Sequence, residues 1–283
     1  MNTWKNTVPY QTFRLIDHTN KQTFYNEPFT ALTSFAIDDA LATSVSNRQS
    51  LPIVRLWVHP KTVVLGIPDS RLPYVEDGVM FLKQHGFHVI VRNSGGLAVA
   101  LDEGVLNITL IFPNGKQTSI HQCYGAMVDF VRYMLSDLTG AIEAREIVGS
   151  YCPGDYDLSI GGKKFAGIAQ RRVRDGIAIQ IYLDVEGNAQ QRATLVKRFY
   201  DHSIKGEKTS FAFPHVQPEV MASLSELLGI PLTVADMKER ATQTITDLAG
   251  NITDRSMSLT EWDVFVKRCK QMQKRNEKIA RIY

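Results

Sequence analysis

The sequence lacks the features that would place the protein in a membrane or outside the cell. No apolar run approaches the ~18 residues that a membrane-spanning helix needs, and residues 1–20 carry no apolar core of the kind found in signal peptides. Only three cysteines occur among 283 residues, and their spacing fits neither a zinc site nor a disulfide framework. These absences predict a protein of the reducing cytoplasm with no membrane partner.

The chain also has little excess charge and lacks the common nucleotide-binding and hydrolase motifs. Its 32 Lys and Arg against 29 Asp and Glu leave a net charge of +3, which is too small to indicate nucleic-acid binding. No G-x-x-x-x-G-K-[ST] loop, no G-x-G-x-x-G after a strand and no G-x-S-x-G elbow is present. A P-loop, a Rossmann cofactor site and a serine hydrolase are therefore not supported. The 44% hydrophobic and 22% charged content is typical of a globular protein with a sizeable core.

Periodicity divides the chain into a strand-rich first two thirds and a helical last third. Strands are predicted at 12–17, 53–58 and 62–65, three more within 87–115, and others between 144 and 184. Helices are predicted from a Ser34 cap to Val45 and at 74–85, 119–138, 189–200, 218–228, 234–248 and 259–282. No repeat or Ser/Gly/Pro linker interrupts the chain. This order predicts an α+β fold with one principal domain and a helical C-terminal extension.

The last predicted helix is strongly basic. Its end carries Lys267, Arg268, Lys270, Lys274, Arg275, Lys278 and Arg281 against the acid Glu277. Such a run is often a solvated helix face, and its functional alternative is the docking of acidic carrier domains through charge steering. Cys269 lies on this helix and is assigned no role, whereas Cys123 is expected in the core because it lies on the apolar face of helix 119–138.

Residues 150–170 contain the first candidate for chemistry. Cys152 lies in a turn marked by proline and glycine, residues 155–160 alternate as a half-buried strand, and Lys164 follows the turn at Gly161-Gly162. Such a hairpin can bring the thiol and the ammonium close together. A cation beside a thiol favours the thiolate, which is the nucleophilic form, so the segment points to covalent chemistry. The alternative is a small buried cysteine and a solvent-exposed lysine.

The second candidate is RNSGGLAVALDEGVLN, residues 92–107. It follows an apolar strand, turns on Gly95-Gly96 and enters another strand. Paired glycines let the backbone approach a ligand closely, because no Cβ stands in the way. Arg92 beside the turn could hold an anionic or carbonyl oxygen. The alternative is an ordinary hairpin with Arg92 in a surface ion pair.

Together the two segments resemble the catalytic domain shared by lipoate–protein ligases, octanoyltransferases and biotin–protein ligases. The family's glycine-rich turn and its lysine motif are matched by Arg92, Ser94, Gly95, Gly96, Gly104 and Asn107, and by Gly162, Lys164, Phe165 and Gly167. A weaker echo of the family's N-terminal helix lies at 35–39. The resemblance implies a catalytic domain at 35–249, built on a mixed and largely antiparallel sheet flanked by helices, and a basic helical extension at 250–283.

The resemblance also implies roles for individual residues. Cys152 and Lys164 would be catalytic, and the substrate-binding residues would be Arg92, Ser94, Gly95, Gly96, Gly104, Asn107 and Gly167. Lys164 would donate to the acyl carbonyl oxygen, favour the Cys152 thiolate, or do both. Neither ATP nor a metal is expected as a cofactor. The His that the family often has is replaced by Leu101, and its Gln is missing from residues 66–69, and both departures argue against an ordinary ATP-dependent lipoate ligase.

The order of cysteine before lysine resembles the cysteine-dependent branch of the family. Within that branch, residues 91–107 and 150–172 most closely resemble the amidotransferases, which move octanoyl from the lysine of the glycine cleavage H protein to the lysine of lipoyl domains of 2-oxo acid dehydrogenases, through a cysteine thioester, in protein lipoylation. These two proteins are the expected donor and acceptor, and no nucleic acid is expected. The alternatives are transfer of octanoyl from acyl carrier protein, an ATP-dependent lipoate ligase and a non-catalytic binding module.

Overall fold

The computed structural model describes residues 2–20, 23–24 and 27–282. The helices are α1 (Asn2–Thr7), α2 (Ala31–Ser46), α3 (Val75–Gln84), α4 (Ile120–Met134), α5 (Ala189–Ile204), α6 (Leu224–Leu228), α7 (Val234–Ala249) and α8 (Leu259–Ala280). The strands are β1 (Thr12–His18), β2 (Thr23–Phe24), β3 (Glu27–Pro28), β4 (Ile53–Trp57), β5 (Thr62–Leu65), β6 (His88–Val91), β7 (Val99–Leu101), β8 (Val105–Phe112), β9 (Glu143–Ala144), β10 (Leu158–Ile160), β11 (Lys163–Val173), β12 (Gly176–Asp184) and β13 (Asn251–Asp254). Short 3₁₀ helices lie at Asp69–Arg71 and Pro218–Val220.

A large mixed sheet forms the centre of the molecule. Eight of the described strands follow one another in the order β13-β1-β4-β8-β12-β11-β10-β9. β1 is parallel to both β13 and β4, and the remaining neighbours are antiparallel. A smaller sheet has the order β6-β5-β7. The α+β fold with a largely antiparallel sheet is therefore confirmed.

The two faces of the large sheet pack against different layers. Helix α2 and the small sheet lie on one face, together with α3, α5 and α8, and this apolar cluster includes Phe35 and Tyr182. Helices α4 and α7 lie on the other face, in a cluster that includes Cys123, which is fully buried as predicted. Successive residues of a strand point to opposite faces, so the central strands β4, β8 and β12 contribute to both clusters.

Several predicted elements begin or end elsewhere than expected. Helix α2 is capped by Thr30, whose side chain accepts a hydrogen bond from Thr33 N, and Ser34 lies inside the helix with its hydroxyl 2.9 Å from His59 Nε2. The strand predicted at 155–160 is limited to Leu158–Ile160, because Asp157 N donates to Gly154 O and closes a turn. The helix predicted at 218–228 is divided into a 3₁₀ turn and the short α6.

Residues after Ala249 contribute to the same fold. β13 pairs with β1, with Thr12 opposite Asn251, and α8 packs along α2. The basic residues of α8 face solvent, apart from the half-buried Arg268. Among the helices of the described part of the chain, none is long and apolar enough to cross a bilayer.

Candidate active site

The Cys152 turn and the glycine-rich turn after β6 meet in the structure. Cys152 is half-buried, and its Sγ accepts hydrogen bonds from Leu97 N at 3.2 Å and from Arg92 Nη2 at 3.3 Å. The same Arg92 nitrogen donates to Leu97 O at 2.8 Å. The sulfur is thus held between a backbone N–H and a guanidinium, the kind of electropositive and partly exposed setting in which reactive cysteines are found.

Gly96 makes this contact possible. Its φ is +105°, and a Cβ placed there would lie 2.9 Å from Cys152 Sγ and would overlap the Arg92 guanidinium. Gly95 differs, because nothing lies within 4 Å of the position its Cβ would occupy. Ser94 is buried, and its hydroxyl has no hydrogen-bond partner among the described residues. Of these turn residues, only Gly96 has a position that demands glycine next to the sulfur.

Lys164 lies beneath the Cys152 turn. Its side chain is fully buried, and Nζ donates to Cys152 O at 2.9 Å and to Tyr151 O at 3.0 Å. Asp157 Oδ1 lies 2.9 Å from Nζ in an ion pair. The two predicted catalytic residues are therefore neighbours. The ammonium contacts the backbone of the cysteine, and the cation that contacts its sulfur is Arg92.

A narrow pocket runs from Arg92 between the large and small sheets. The free volume between its walls is about 30 Å³, well below the roughly 300–1,000 Å³ of sites that bind drug-sized ligands. Its walls are Phe35, Trp57, Val64, Arg92, Val99, Leu101, Asn107, Gly167, Ala169, Gln180, Ile181 and Tyr182. Gly167 and Ala169 lie on the same face of β11, because they are two positions apart, and their small size leaves the space open.

Some of the predicted substrate-binding residues line the pocket, and one of them lies outside it. Asn107 and Gly167 line the pocket, and a Cβ at Gly167 would lie 2.7 Å from the Tyr182 ring. Asn107 Nδ2 donates to Trp57 O at 3.3 Å. Gly104 does not line the pocket. It packs against the end of β12, where a Cβ would lie 2.5 Å from Glu186 O.

Several residues of the site were not identified from the sequence. They are Leu97, Ser150, Tyr151, Asp157, Ala169, Gln180 and Tyr182. Leu97 contributes a backbone N–H, which no side-chain motif records. Asp157 belongs to the alternating segment before Lys164, but its ion pair with that lysine depends on the turn at Gly154. No pattern in the sequence predicts this pairing.

The other two cysteines have different surroundings. Burial raises the pKa of Cys123 to about 11, against the opposing effect of the nearby Arg172. Burial also raises the pKa of Cys269. Both thiols are therefore held in the protonated form at neutral pH. No cluster of His, Cys, Asp and Glu that could hold a metal ion occurs within residues 2–20, 23–24 and 27–282.

Sequence comparison identifies relatives over almost the whole chain. An octanoyl-[GcvH]:protein N-octanoyltransferase of Oceanobacillus iheyensis is 58% identical over 98% of this chain and 99% of its own length. The protein of the same name from Geobacillus kaustophilus is 51% identical over 94% of this chain and 93% of its own length. A lipoyl-[GcvH]:protein N-lipoyltransferase of Listeria monocytogenes is 42% identical over 99% of both chains.

Solved structures show the same fold at low sequence identity. A lipoate-protein ligase A bound with ATP superposes with a TM-score of 0.69 at 15% identity, over 93% of this chain and 95% of its own. A lipoate protein ligase from Thermoplasma acidophilum gives 0.65 at 16% identity, over 93% and 92%. The family model of the lipoyl protein ligase A/B catalytic domain matches residues 30–246. The chain therefore belongs to the lipoyl protein ligase A/B catalytic domain family.

Proposed function

We propose that this protein transfers octanoyl from the lysine of the glycine cleavage H protein to the lysine of lipoyl domains, through a thioester on Cys152. The observation that carries the proposal is the setting of Cys152 Sγ between Leu97 N–H and Arg92 at 3.2 and 3.3 Å. The names of relatives up to 58% identical support the choice of acyl group and donor. No ATP is expected, because an amide is exchanged for an amide.

In the first step the Cys152 thiolate attacks the carbonyl carbon of the octanoyl amide. A C–S bond forms, the C–N bond to the donor lysine breaks, and the leaving amine takes up one proton. As the sulfur bonds to carbon, the Leu97 N–H and the Arg92 guanidinium become available to the negative charge that develops on the carbonyl oxygen. A donor placed at such an oxygen is worth about 3–4 kcal/mol.

In the second step the amine of the acceptor lysine attacks the thioester. A new C–N bond forms, the C–S bond breaks, and the attacking amine loses the proton that balances the first step. Cys152 returns to the thiolate between the same two donors. No net charge or redox change occurs over the cycle, so no further reactant is needed.

The pocket beyond Arg92 would hold the acyl chain once its walls move apart, because its present volume of about 30 Å³ is too small for eight carbons. Its walls are mostly apolar, with Val64, Val99 and Leu101 from the small sheet facing Gly167 and Ala169 on β11. Burial is worth about 0.8 kcal/mol per methylene, so an octanoyl chain could contribute about 6 kcal/mol of binding. The match between an apolar slot and a nucleophile at its mouth favours an acyl substrate over a polar one.

A lipoyl group is the second candidate cargo. The Listeria relative, 42% identical over almost the whole chain, is named for lipoyl transfer. Octanoyl is preferred because the more similar relatives, at 58% and 51% identity, are named for it.

Intact-mass measurement of the acylated enzyme tests the proposal. The protein is mixed with octanoyl-H protein, with octanoyl acyl carrier protein, or with ATP and free octanoate, each in a separate reaction without acceptor. An octanoyl adduct that hydroxylamine removes is expected from octanoyl-H protein, and it should then pass to an apo-lipoyl domain. Cys152→Ser should give no adduct, whereas the control Cys269→Ser should react as the wild type does. Full-rate transfer by Cys152→Ser would contradict the thioester.

A further inference from the structure

Lys164 and Asp157 form a buried ion pair beneath the turn that carries the proposed nucleophile. The two side chains are 0% and 2% exposed, and Nζ lies 2.9 Å from Asp157 Oδ1. A buried ion pair is a weak source of stability, because the desolvation of both charges offsets their attraction. The pair also forms hydrogen bonds with the backbone of the Cys152 turn, which indicates a role in holding that turn.

The Lys164 ammonium holds three consecutive residues of the turn. Nζ donates to Tyr151 O at 3.0 Å and to Cys152 O at 2.9 Å, and Ser150 Oγ lies 3.3 Å away. An ammonium has three protons, so these three oxygens and Asp157 Oδ1 outnumber the protons that Nζ can donate. None of the described hydrogen bonds joins Nζ to the cysteine sulfur.

Asp157 ties the other side of the turn to the same point. Its Oδ2 accepts from Gly154 N at 3.2 Å and from Ser150 Oγ at 3.5 Å. The backbone on both sides of Cys152 is therefore fixed to one charged pair. Cys152 itself has a φ of +45°, a left-handed backbone conformation that residues other than glycine seldom adopt. Such a conformation persists only where the surroundings determine it.

We infer that Lys164 and Asp157 are positioning residues that hold the Cys152 turn in its left-handed conformation and so place Sγ between Leu97 N–H and Arg92. Ser150 belongs to the same unit, because its hydroxyl contacts both charged groups. The inference rests on the proposed function for the importance of Cys152, but the geometry it explains does not depend on the acyl group.

Asp157 could affect the Cys152 thiol directly through its charge or indirectly by positioning the turn, and the two effects change the ease of thiolate formation in opposite directions. Asp157→Asn removes a negative charge near the thiol, which by electrostatics alone should make the thiolate easier to form. If the pair positions Sγ, the same change loosens the turn, and the sulfur loses its two donors. The thiolate then becomes harder to form. Ionisable groups that interact with this sulfur include Arg92, Tyr124, Tyr182 and Tyr200, and all three tyrosines have a pKa raised by burial.

The test measures the rate of alkylation by iodoacetamide against pH, with Cys123 and Cys269 replaced by serine in all proteins. In Asp157→Asn the midpoint of the pH profile should rise by about one pH unit, the equivalent of one lost charge-assisted hydrogen bond. Formation of the octanoyl adduct should slow by about 100-fold, as for a displacement of about 1 Å. The matched control is Lys163→Met, a half-exposed lysine on the opposite face of β11, which should leave both rates and the midpoint unchanged.

Ser150→Ala keeps both charges and tests the inference if Asp157→Asn does not fold. It should raise the midpoint and slow acylation several-fold, and circular dichroism should show the wild-type fold. A midpoint that falls or stays constant in the folded variants, with a normal acylation rate, would overturn the inference. If the wild type forms no octanoyl adduct, the proposed function fails, whereas the alkylation profiles still decide the role of the pair.

Discussion

At the scale of single residues, the candidate site depends on two backbone conformations that side chains disfavour. Cys152 has a φ of +45° and Gly96 has a φ of +105°, and the two residues face each other. The first is held by the Lys164–Asp157 pair, and the second is possible because glycine has no Cβ. The distance between the sulfur and its donors therefore depends on both turns at once.

Gly96→Ala should damage both stability and acyl transfer. The left-handed conformation costs a non-glycine residue about 1–2 kcal/mol, and the added Cβ would overlap the Arg92 guanidinium and approach Cys152 Sγ to 2.9 Å. We expect a lower thermal midpoint and loss of the octanoyl adduct. Gly95→Ala provides the comparison, since its Cβ meets nothing within 4 Å, and its thermal midpoint should stay close to that of the wild type. Equal melting temperatures for the two variants would contradict this account.

At the scale of elements, strand β11 joins the nucleophile to the acyl slot. Lys164, near the start of the strand, lies beneath Cys152. Further along the strand, Gly167 and Ala169 face the pocket. A Cβ at Gly167 would meet the Tyr182 ring, so this position cannot be enlarged without moving that ring. Ala169 pairs with Gln180, whose Nε2 donates to the buried Asp38. An enlarged residue 169 can therefore extend only into the slot.

Ala169→Leu should shorten the acyl chain that the enzyme accepts. With donors carrying four-, six- and eight-carbon chains in competition, the ratio of octanoyl to butanoyl adducts should fall 10–200-fold, the range for a change of one methylene-sized contact in an apolar pocket. Ala169→Ser, which is nearly the same size, should keep the wild-type ratio. An unchanged ratio in the leucine variant would mean that the acyl chain lies elsewhere.

Alternation along β11 shows which parts of the site the sequence could predict. Period-two patterning places Lys163 and Lys164 on opposite faces of the strand, and the structure has their side chains 43% and 0% exposed. The partner of Lys164 could not be predicted in the same way. Asp157 reaches it only because the chain turns at Gly154, and that turn replaces part of the strand predicted at 155–160. Local patterns determine which face a side chain takes, whereas its partner depends on long-range packing.

At the scale of the whole molecule, the C-terminal helix supports the strand that leads to Arg92. β6 is the edge of the small sheet, and Asn276 of α8 covers that edge. Asn276 Oδ1 accepts from Val91 N at 2.6 Å, and its Nδ2 donates to Val91 O at 3.1 Å. One side chain thus satisfies both backbone groups of the residue before Arg92. The sequence predicts only a solvated or docking face for this helix. Its many charged residues indicate an exposed helix, and no local pattern marks Asn276 as the residue that faces inward.

Asn276→Ala should weaken both folding and the first acylation step. Val91 is 2% exposed, so its N–H and C=O would lose their partner away from water, at about 1–3 kcal/mol for each group. The end of β6 would then move, and with it the Arg92 guanidinium that contacts Cys152 Sγ. We expect a lower thermal midpoint and, below that temperature, an octanoyl adduct that forms more slowly. Lys274→Ala, on the exposed side of α8, is the control and should change neither. A lower midpoint with an unchanged acylation rate in the folded protein would show that α8 contributes to stability without positioning Arg92.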